Sequence, residues 1–219
     1  MKLFFDYGRL LFNYDFNRTT LARAHRVALA ELRERGVKVD FSQLSKAHDV
    51  AIDDYLRARC VDFTEWSMRR IMEGVLRNLG IRDPHLASRL DEIYKLNDHD
   101  SYPREGILEL IPELAEDFSL NIISNLPHNS AVSELQRYGV LPCFDTITFS
   151  YEAGHRKPHP SIYNLAVKRA KADLRDSLFL SHEREEVVGA MRTGLDSRLV
   201  FTADEVREAL PHEVALYQY

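Results

Sequence analysis

Residues Lys2–Phe12 read KLFFDYGRLLF. The apolar run Leu3-Phe4-Phe5 has the character of a buried strand, Asp6 ends it, and Gly8 follows in an abrupt turn. Burying an unpaired carboxylate is costly, so an aspartate at this place does little for packing. The carboxyl ends of strands in open α/β sheets are where ligands bind, so the same aspartate is well placed for chemistry. Asp-containing turns also close many strands that have no further role. The rest of the chain decides between the two readings.

Three more stretches further along bear on the choice. Asn121-Ile122-Ile123-Ser124-Asn125 is an apolar strand ending in a hydroxyl and an amide. Gly154-His155-Arg156-Lys157-Pro158 places a lysine in a loop just before a helix. Ser177-Leu178-Phe179-Leu180-Ser181-His182 is a third strand with a polar end, followed by Glu183, Glu185 and Glu186.

Between the first strand and the second, from about Asn17 to Asp98, the pattern is helical throughout. Leu21, Ala24, Ala28 and Leu32 keep helical spacing up to Gly36. A second helix opens at Asp40-Phe41-Ser42, a third spans Phe63–Leu79, and a fourth begins at Pro84, a residue suited to a first helical turn. Four successive helices form a bundle-like unit that interrupts an α/β chain. Strand–helix alternation then resumes: helix Ile107–Phe118 with a kink or break expected at Pro112, strand Leu120–Ser124, helix His128–Tyr138, strand Thr146–Ser150, helix Pro160–Lys171, strand Leu178–Ser181, helix Glu185–Thr193 and strand Arg198–Phe201. This alternation predicts a parallel, doubly wound sheet.

Composition excludes several classes. With 219 residues the chain suits one domain, or one with an insertion. A net charge of −5 leaves no electrostatic footprint for nucleic acid. The N-terminal apolar run is too short for a leader and is broken at Asp6, and no segment has the length needed to span a bilayer. Cys60 and Cys143 lack metal-ligand spacing and read as reduced thiols. A cytoplasmic protein is expected. His25, His48, His85, His99 and His128 are scattered without ligand spacing, His155 and Arg156 read as surface residues, and Trp66, Met68 and Met72 as helical core.

Asp6, Ser124-Asn125, Lys157 and Ser181-His182, in that order, resemble the four motifs of the haloacid-dehalogenase-like hydrolase superfamily, and the resemblance spans nearly the whole chain. It implies an α/β fold: a Rossmann-like doubly wound parallel sheet formed by residues 1–16 and 99–219, with a four-helix cap, residues 17–98, inserted after the first strand. It implies Asp6 as a nucleophile forming an aspartyl intermediate, Ser124 holding the transferring group, Asn125 binding substrate, and Lys157 pairing with the nucleophile and an anionic substrate group. Mg²⁺ is the implied cofactor, with Asp6, the Gly8 carbonyl, His182 and Glu186 as its candidate ligands. The implied reaction is hydrolysis of a small anionic, phosphorylated metabolite, with the cap closing over the site.

Two positions depart from the family pattern. Phosphatases of the superfamily usually carry a proton-donating aspartate two residues after the nucleophile, and this chain has Gly8 there. The fourth motif normally ends in a Mg²⁺-binding aspartate, and alignment on Gly189-Ala190 puts His182 in that place. Mg²⁺ prefers oxygen ligands, whereas imidazole suits softer metals. His182 therefore has three readings: ligand for a softer metal, replacement proton donor, or sign of lost catalysis. Ser181 is similar to the serine that ends this strand in the metal-free dehalogenase branch. A catalytically silent ligand- or partner-binding protein and a metal-independent dehalogenase stand as alternatives to a phosphatase.

Overall fold

The computed structural model describes residues 1–211. Five parallel strands form the central sheet: β1 (Lys2–Asp6), β4 (Ser119–Ser124), β5 (Phe144–Phe149), β6 (Ser177–Ser181) and β7 (Asp196–Leu199), in the order β5-β4-β1-β6-β7. β1 is the middle strand, with Asp6 opposite Ile123 and Phe5 opposite both Ile122 and Leu180. Strands buried on both faces read as unbroken apolar runs, which is why Leu3–Phe5 and Leu178–Leu180 stand out in the sequence. On one face Leu3 and Phe5 pack with Ile107, Ile111 and Leu135. On the other, Phe4 packs with Ile123, Ile162, Tyr163 and Phe179.

After β1 the chain turns through Gly8 into β2 (Phe12–Asp15), which pairs antiparallel with β3 (Asp100–Pro103), Phe12 opposite Pro103 and Asp15 opposite Asp100. The chain leaves the sheet along β2 and returns along β3. Between them lie α1 (Arg18–Glu34), α2 (Phe41–Asp62), α3 (Met68–Asn78) and α4 (Pro84–Asn97). Asn17 and Asp40 begin the first two through reciprocal capping boxes, and Ser67 and Asp83 cap the others. These four helices enclose a core of their own, centred on Ala24, Leu32, Leu44, Met72, Leu90 and Tyr94.

Several boundaries differ from the sequence reading. The third helix starts at Met68 rather than Phe63, because Phe63 ends α2 in the left-handed region, φ 62°. Residues 63–68 instead form a strap against the sheet side: Glu65 N–H donates to Gly154 O (2.8 Å), Arg156 N–H to Phe63 O (2.9 Å) and Met68 N–H to Pro127 O (2.7 Å). The last strand is Asp196–Leu199 rather than Arg198–Phe201, and the helix read at His128–Tyr138 is α6 (Ser130–Arg137). Pro112 causes no break in α5 (Ile107–Asp117). A short α7 (Ser150–Ala153) precedes α8 (Pro160–Ala170), α9 (Arg184–Met191) follows β6, and α10 (Ala203–Ala209) closes the described chain. Among the described residues both cysteines are free, and no helix is long and apolar enough to cross a membrane.

Candidate active site

Sheet topology creates the site. From β1 the chain moves outward one way through β4 and β5, then the other way through β6 and β7. The carboxyl ends beside such a reversal leave a crevice. Asp6 ends β1, Ser124 ends β4 and Ser181 ends β6. Lys157 comes from the loop before α8, on a cis Lys157–Pro158 peptide, and Glu186 from the first turn of α9.

Lys157 is the hub. Its ammonium is buried, 2% exposed, and donates to Asp6 Oδ1, to the Ile123 carbonyl (2.9 Å) and toward Glu186 Oε2 (2.8 Å). His182 Nδ1 lies 2.8 Å from Asp6 Oδ2. Both oxygens of Asp6 therefore touch a nitrogen of the chain. Glu186 is equally enclosed: Ser181 Oγ donates to Oε2 (2.8 Å) and Asn125 Nδ2 to Oε1 (3.0 Å). Tyr163 OH donates to the Glu186 carbonyl (2.7 Å), fixing the start of α9 against α8.

Burial alone would raise the pKa of Asp6, but the Lys157 ammonium and the His182 contact outweigh it and hold the carboxyl below its ordinary value. Burial would likewise depress Lys157, yet two carboxylates keep it raised and charged. Glu186 is pushed up to about 7, first by burial and then by the negative charge of Asp6, against the pull of Lys157. Asp6 is thus the ionised carboxylate of the pair, and Glu186 the one poised to exchange a proton.

Asp6, Asn125, Lys157, His182 and Glu186 are brought together by these contacts. Ser124 is buried at the end of β4, one residue beyond the Asp6 register. Asn125 is committed to the protein: its Oδ1 accepts the Lys157 N–H (2.7 Å) while its Nδ2 holds Glu186. Gly8 lies in the turn after β1. Arg156 is no free surface residue, since its guanidinium stands 3.6 Å from Glu65 in the strap. Sequence reasoning missed Glu65 and the Glu186–Lys157 pairing; an acidic residue one turn into the helix after β6 was the available signal for the second.

These donors do not fit the implied Mg²⁺. A hard cation needs free oxygen ligands, usually carboxylates plus water. Asp6 has both oxygens on nitrogen donors, Glu186 has both on Asn125, Ser181 and Lys157, and the fourth-motif position offers an imidazole. The Lys157 ammonium already supplies positive charge to both carboxylates. A cavity of about 230 Å³ adjoins the site, lined by Arg59 and Phe63 from the end of α2 and by Asn125, Arg156, Lys157 and Glu186. A larger one, about 600 Å³, lies away from Asp6, beside His99 and Glu134. We assign the smaller to the chemistry because it touches Lys157.

Residues 41–200 match the profile of the haloacid dehalogenase-like hydrolases. No curated protein matches the chain by sequence. Among solved structures, a 2-haloacid dehalogenase from Pseudomonas syringae pv. Tomato is 19% identical, with 95% of this chain and 97% of that one aligned and a TM-score of 0.63. A HAD phosphatase from Thermococcus onnurineus is 16% identical over 95% and 97%, TM-score 0.59. A HAD-hydrolase from Bacillus subtilis bound to magnesium is 16% identical over 94% and 96%, TM-score 0.54. At such identities the likeness carries the fold.

Proposed function

The chain belongs to the haloacid dehalogenase-like hydrolase family, and from that premise we propose that it is a metal-independent hydrolase of small organic acids, working through an ester on Asp6 and displacing a halide or similarly stable leaving group from carbon. The observation that carries this reading is the placement of Lys157 and His182 on the two oxygens of Asp6.

In the first step an Asp6 oxygen attacks the substrate carbon. The new C–O bond forms as the carbon–halogen bond breaks, and the halide leaves with the electron pair. No proton is needed, which suits Gly8 in the place where phosphatases keep an acid. An alkoxide leaving from phosphorus would need that acid, worth about 10²–10⁴-fold. In the second step water attacks the carboxyl carbon of the ester and passes a proton to Glu186, whose pKa of about 7 fits a general base. The acyl C–O bond breaks, the departing alkoxide takes that proton back from Glu186 and leaves as the hydroxy acid, and the re-formed Asp6 carboxyl releases its own proton to solvent, which restores the carboxylate. Lys157 keeps the nucleophile charged and in place. Arg59 and Arg156, lining the small cavity, supply the charge to hold a substrate carboxylate.

Within this proposal residues 17–98 act as the cap over a core of residues 1–16 and 99–219, and the end of α2 chooses the substrate. Hydrolysis of a small phosphomonoester is the second reading, favoured by Ser124 at the end of β4, next to the Ile123 carbonyl that accepts from the Lys157 ammonium; a hydroxyl and an ammonium suit a phosphoryl group. One experiment separates the two. Purified protein in a chelator is given 2-chloropropionate in ¹⁸O-water, and halide release and the mass of the Asp6 peptide are followed. Halide release with label in Asp6, both lost in Asp6→Asn, is the expected result. A parallel sample with Mg²⁺ in place of the chelator is given p-nitrophenyl phosphate: phosphate release there without halide release selects the second reading, and inactivity on both leaves a binding protein.

A further inference from the structure

A second group of donors lies outside the Asp6 site. Asp98 follows α4, His99 comes next on the crossing into β3, and His128 stands in the loop between β4 and α6. One ligand atom from each lies within 4.8 Å of the other two. Asp98 and His128 are buried and His99 half-buried, so this is an interior cluster and not a chance meeting of surface groups. The sequence hides it, because His128 is far from Asp98 along the chain.

The surroundings are built as well. His99 Nδ1 lies 2.7 Å from Asp98 Oδ1, and its Nε2 lies 3.0 Å from Glu134 Oε1. Glu134 is held in turn by Tyr7 OH (2.7 Å) and Tyr14 OH (3.2 Å) on its other oxygen. The hydroxyl of Ser130, itself buried, has no partner among the described residues. The cavity of about 600 Å³ reaches His99, Ser130 and Glu134, which provides an entry path.

We propose that Asp98, His99 and His128 form a binding site for a divalent transition cation of the Zn²⁺ or Co²⁺ type, with Glu134 orienting His99 from behind. Two imidazoles and one carboxylate select such ions over Mg²⁺ or Ca²⁺. Tetrahedral bonds of about 2.0–2.2 Å require ligand atoms spaced by about 3.3–3.6 Å. The Asp98–His99 contact of 2.7 Å must therefore widen by about 0.6–0.9 Å, and a spacing at the 4.8 Å limit must close by about 1.2–1.5 Å. A ligating histidine characteristically donates its other ring N–H to a carboxylate, and Glu134 is in place for that. Asp98 and His99 belong to the chain leaving the helical unit and His128 to the sheet side, so a cation here would clamp one against the other. The site shares no residue with the Asp6 constellation and stands whatever reaction that constellation performs.

The test is Co²⁺ titration of the chelator-treated full chain, followed by visible absorption. One saturable equivalent with the intense bands of tetrahedral cobalt, displaced by Zn²⁺ and not by Mg²⁺, is expected. His128→Ala should weaken binding by about 100-fold or more, and Glu134→Gln by about 10-fold, the effect of losing an outer-shell partner. Asp6→Asn and His182→Ala should leave it unchanged. Absence of a saturable band, a band that survives His128→Ala, or one lost with His182→Ala would overturn the assignment. Should the ligand variants fail to fold, X-ray absorption of the Zn²⁺-loaded native chain decides: two imidazole scatterers support the site, none overturns it.

Discussion

Gly189 in α9 lies against Pro158 so closely that a Cβ there would sit 2.6 Å from the Pro158 Cβ and 2.7 Å from its carbonyl oxygen. Pro158 follows Lys157, so this contact fixes the backbone that delivers the buried ammonium to Asp6 and Glu186. Gly189→Ala forces backbone apart, and overpacking of this kind costs about 1–3 kcal/mol. A lowered melting temperature together with a larger fall in turnover than in substrate binding is expected. A variant matching the native chain in both would show that the close approach does not position Lys157.

The parallel sheet and the strand ends carrying Asp6, Ser124 and His182 were legible because each is announced locally, by an apolar run that stops at a polar residue, and Lys157 by its place in the loop before a helix. What was not legible depends on chain segments that meet only in space. Phe12–Asp15 and Asp100–Pro103 are four residues each, FNYD and DSYP, too short for their pattern to mark a strand; they are strands because they pair with each other. Phe63–Ser67 continues a helical pattern in sequence, yet its hydrogen bonds go to Gly154 and Arg156. His99 and His128 looked unrelated at a separation no ligand spacing covers. Asn125 carried the right residue type for a substrate contact, and the fold spent both of its amide atoms on Lys157 and Glu186.

Glu65 is the fastening of the strap. Its buried carboxylate accepts from Tyr55 OH and from Ser150 Oγ (2.7 Å), with Arg156 3.6 Å away. Removing one partner of a buried charged group is strongly destabilising, about 3–5 kcal/mol, because the others are left unpaired. Glu65→Ala is expected to raise amide exchange at 63–68 and 154–156 while the interior of α1 and α4 stays protected. Unchanged exchange in the strap would mean that these residues do not hold the helical unit closed.

His48 makes the four-helix core acid-sensitive. Its ring stacks on Tyr94 (5.2 Å, 8°) and lies 4.9 Å from His25, and neither His48 Nδ1 nor His25 Nε2 has a partner among the described residues. Burial, helped by the neighbouring His25, pushes the His48 pKa down to about 3 from an ordinary value of 6.5. Below 6.5 the unfolded chain binds a proton that the folded one refuses. Stability is therefore full above about 6.5 and lost as pH falls toward 3, with roughly 3 kcal/mol gone by about pH 4 from this group. Urea melts across that range should show the slope, and His48→Phe, which keeps the stacking, should flatten it. An equal slope in the variant would place the acid sensitivity elsewhere.

His182 decides the metal question. With imidazole beside Asp6 Oδ2, the native chain is expected to show little Mg²⁺-dependent turnover and no Mg²⁺ effect on its melting temperature. His182→Asp puts a second carboxylate beside Asp6. Without metal the two repel and the variant should melt lower; with Mg²⁺ the loss should be recovered, because the ion now has two anionic oxygen ligands. Gly8→Asp then supplies the absent proton donor. A Cβ at Gly8 would meet only the Tyr14 ring, at an ordinary 3.7 Å, so the side chain has room. Phosphatase activity should appear in the double variant well above the product of the single effects, since both changes serve one reaction centre. Strong Mg²⁺-dependent phosphatase activity in the native chain, abolished by Asp6→Asn, would falsify the metal-independent reading and show that His182 tolerates the ion after all.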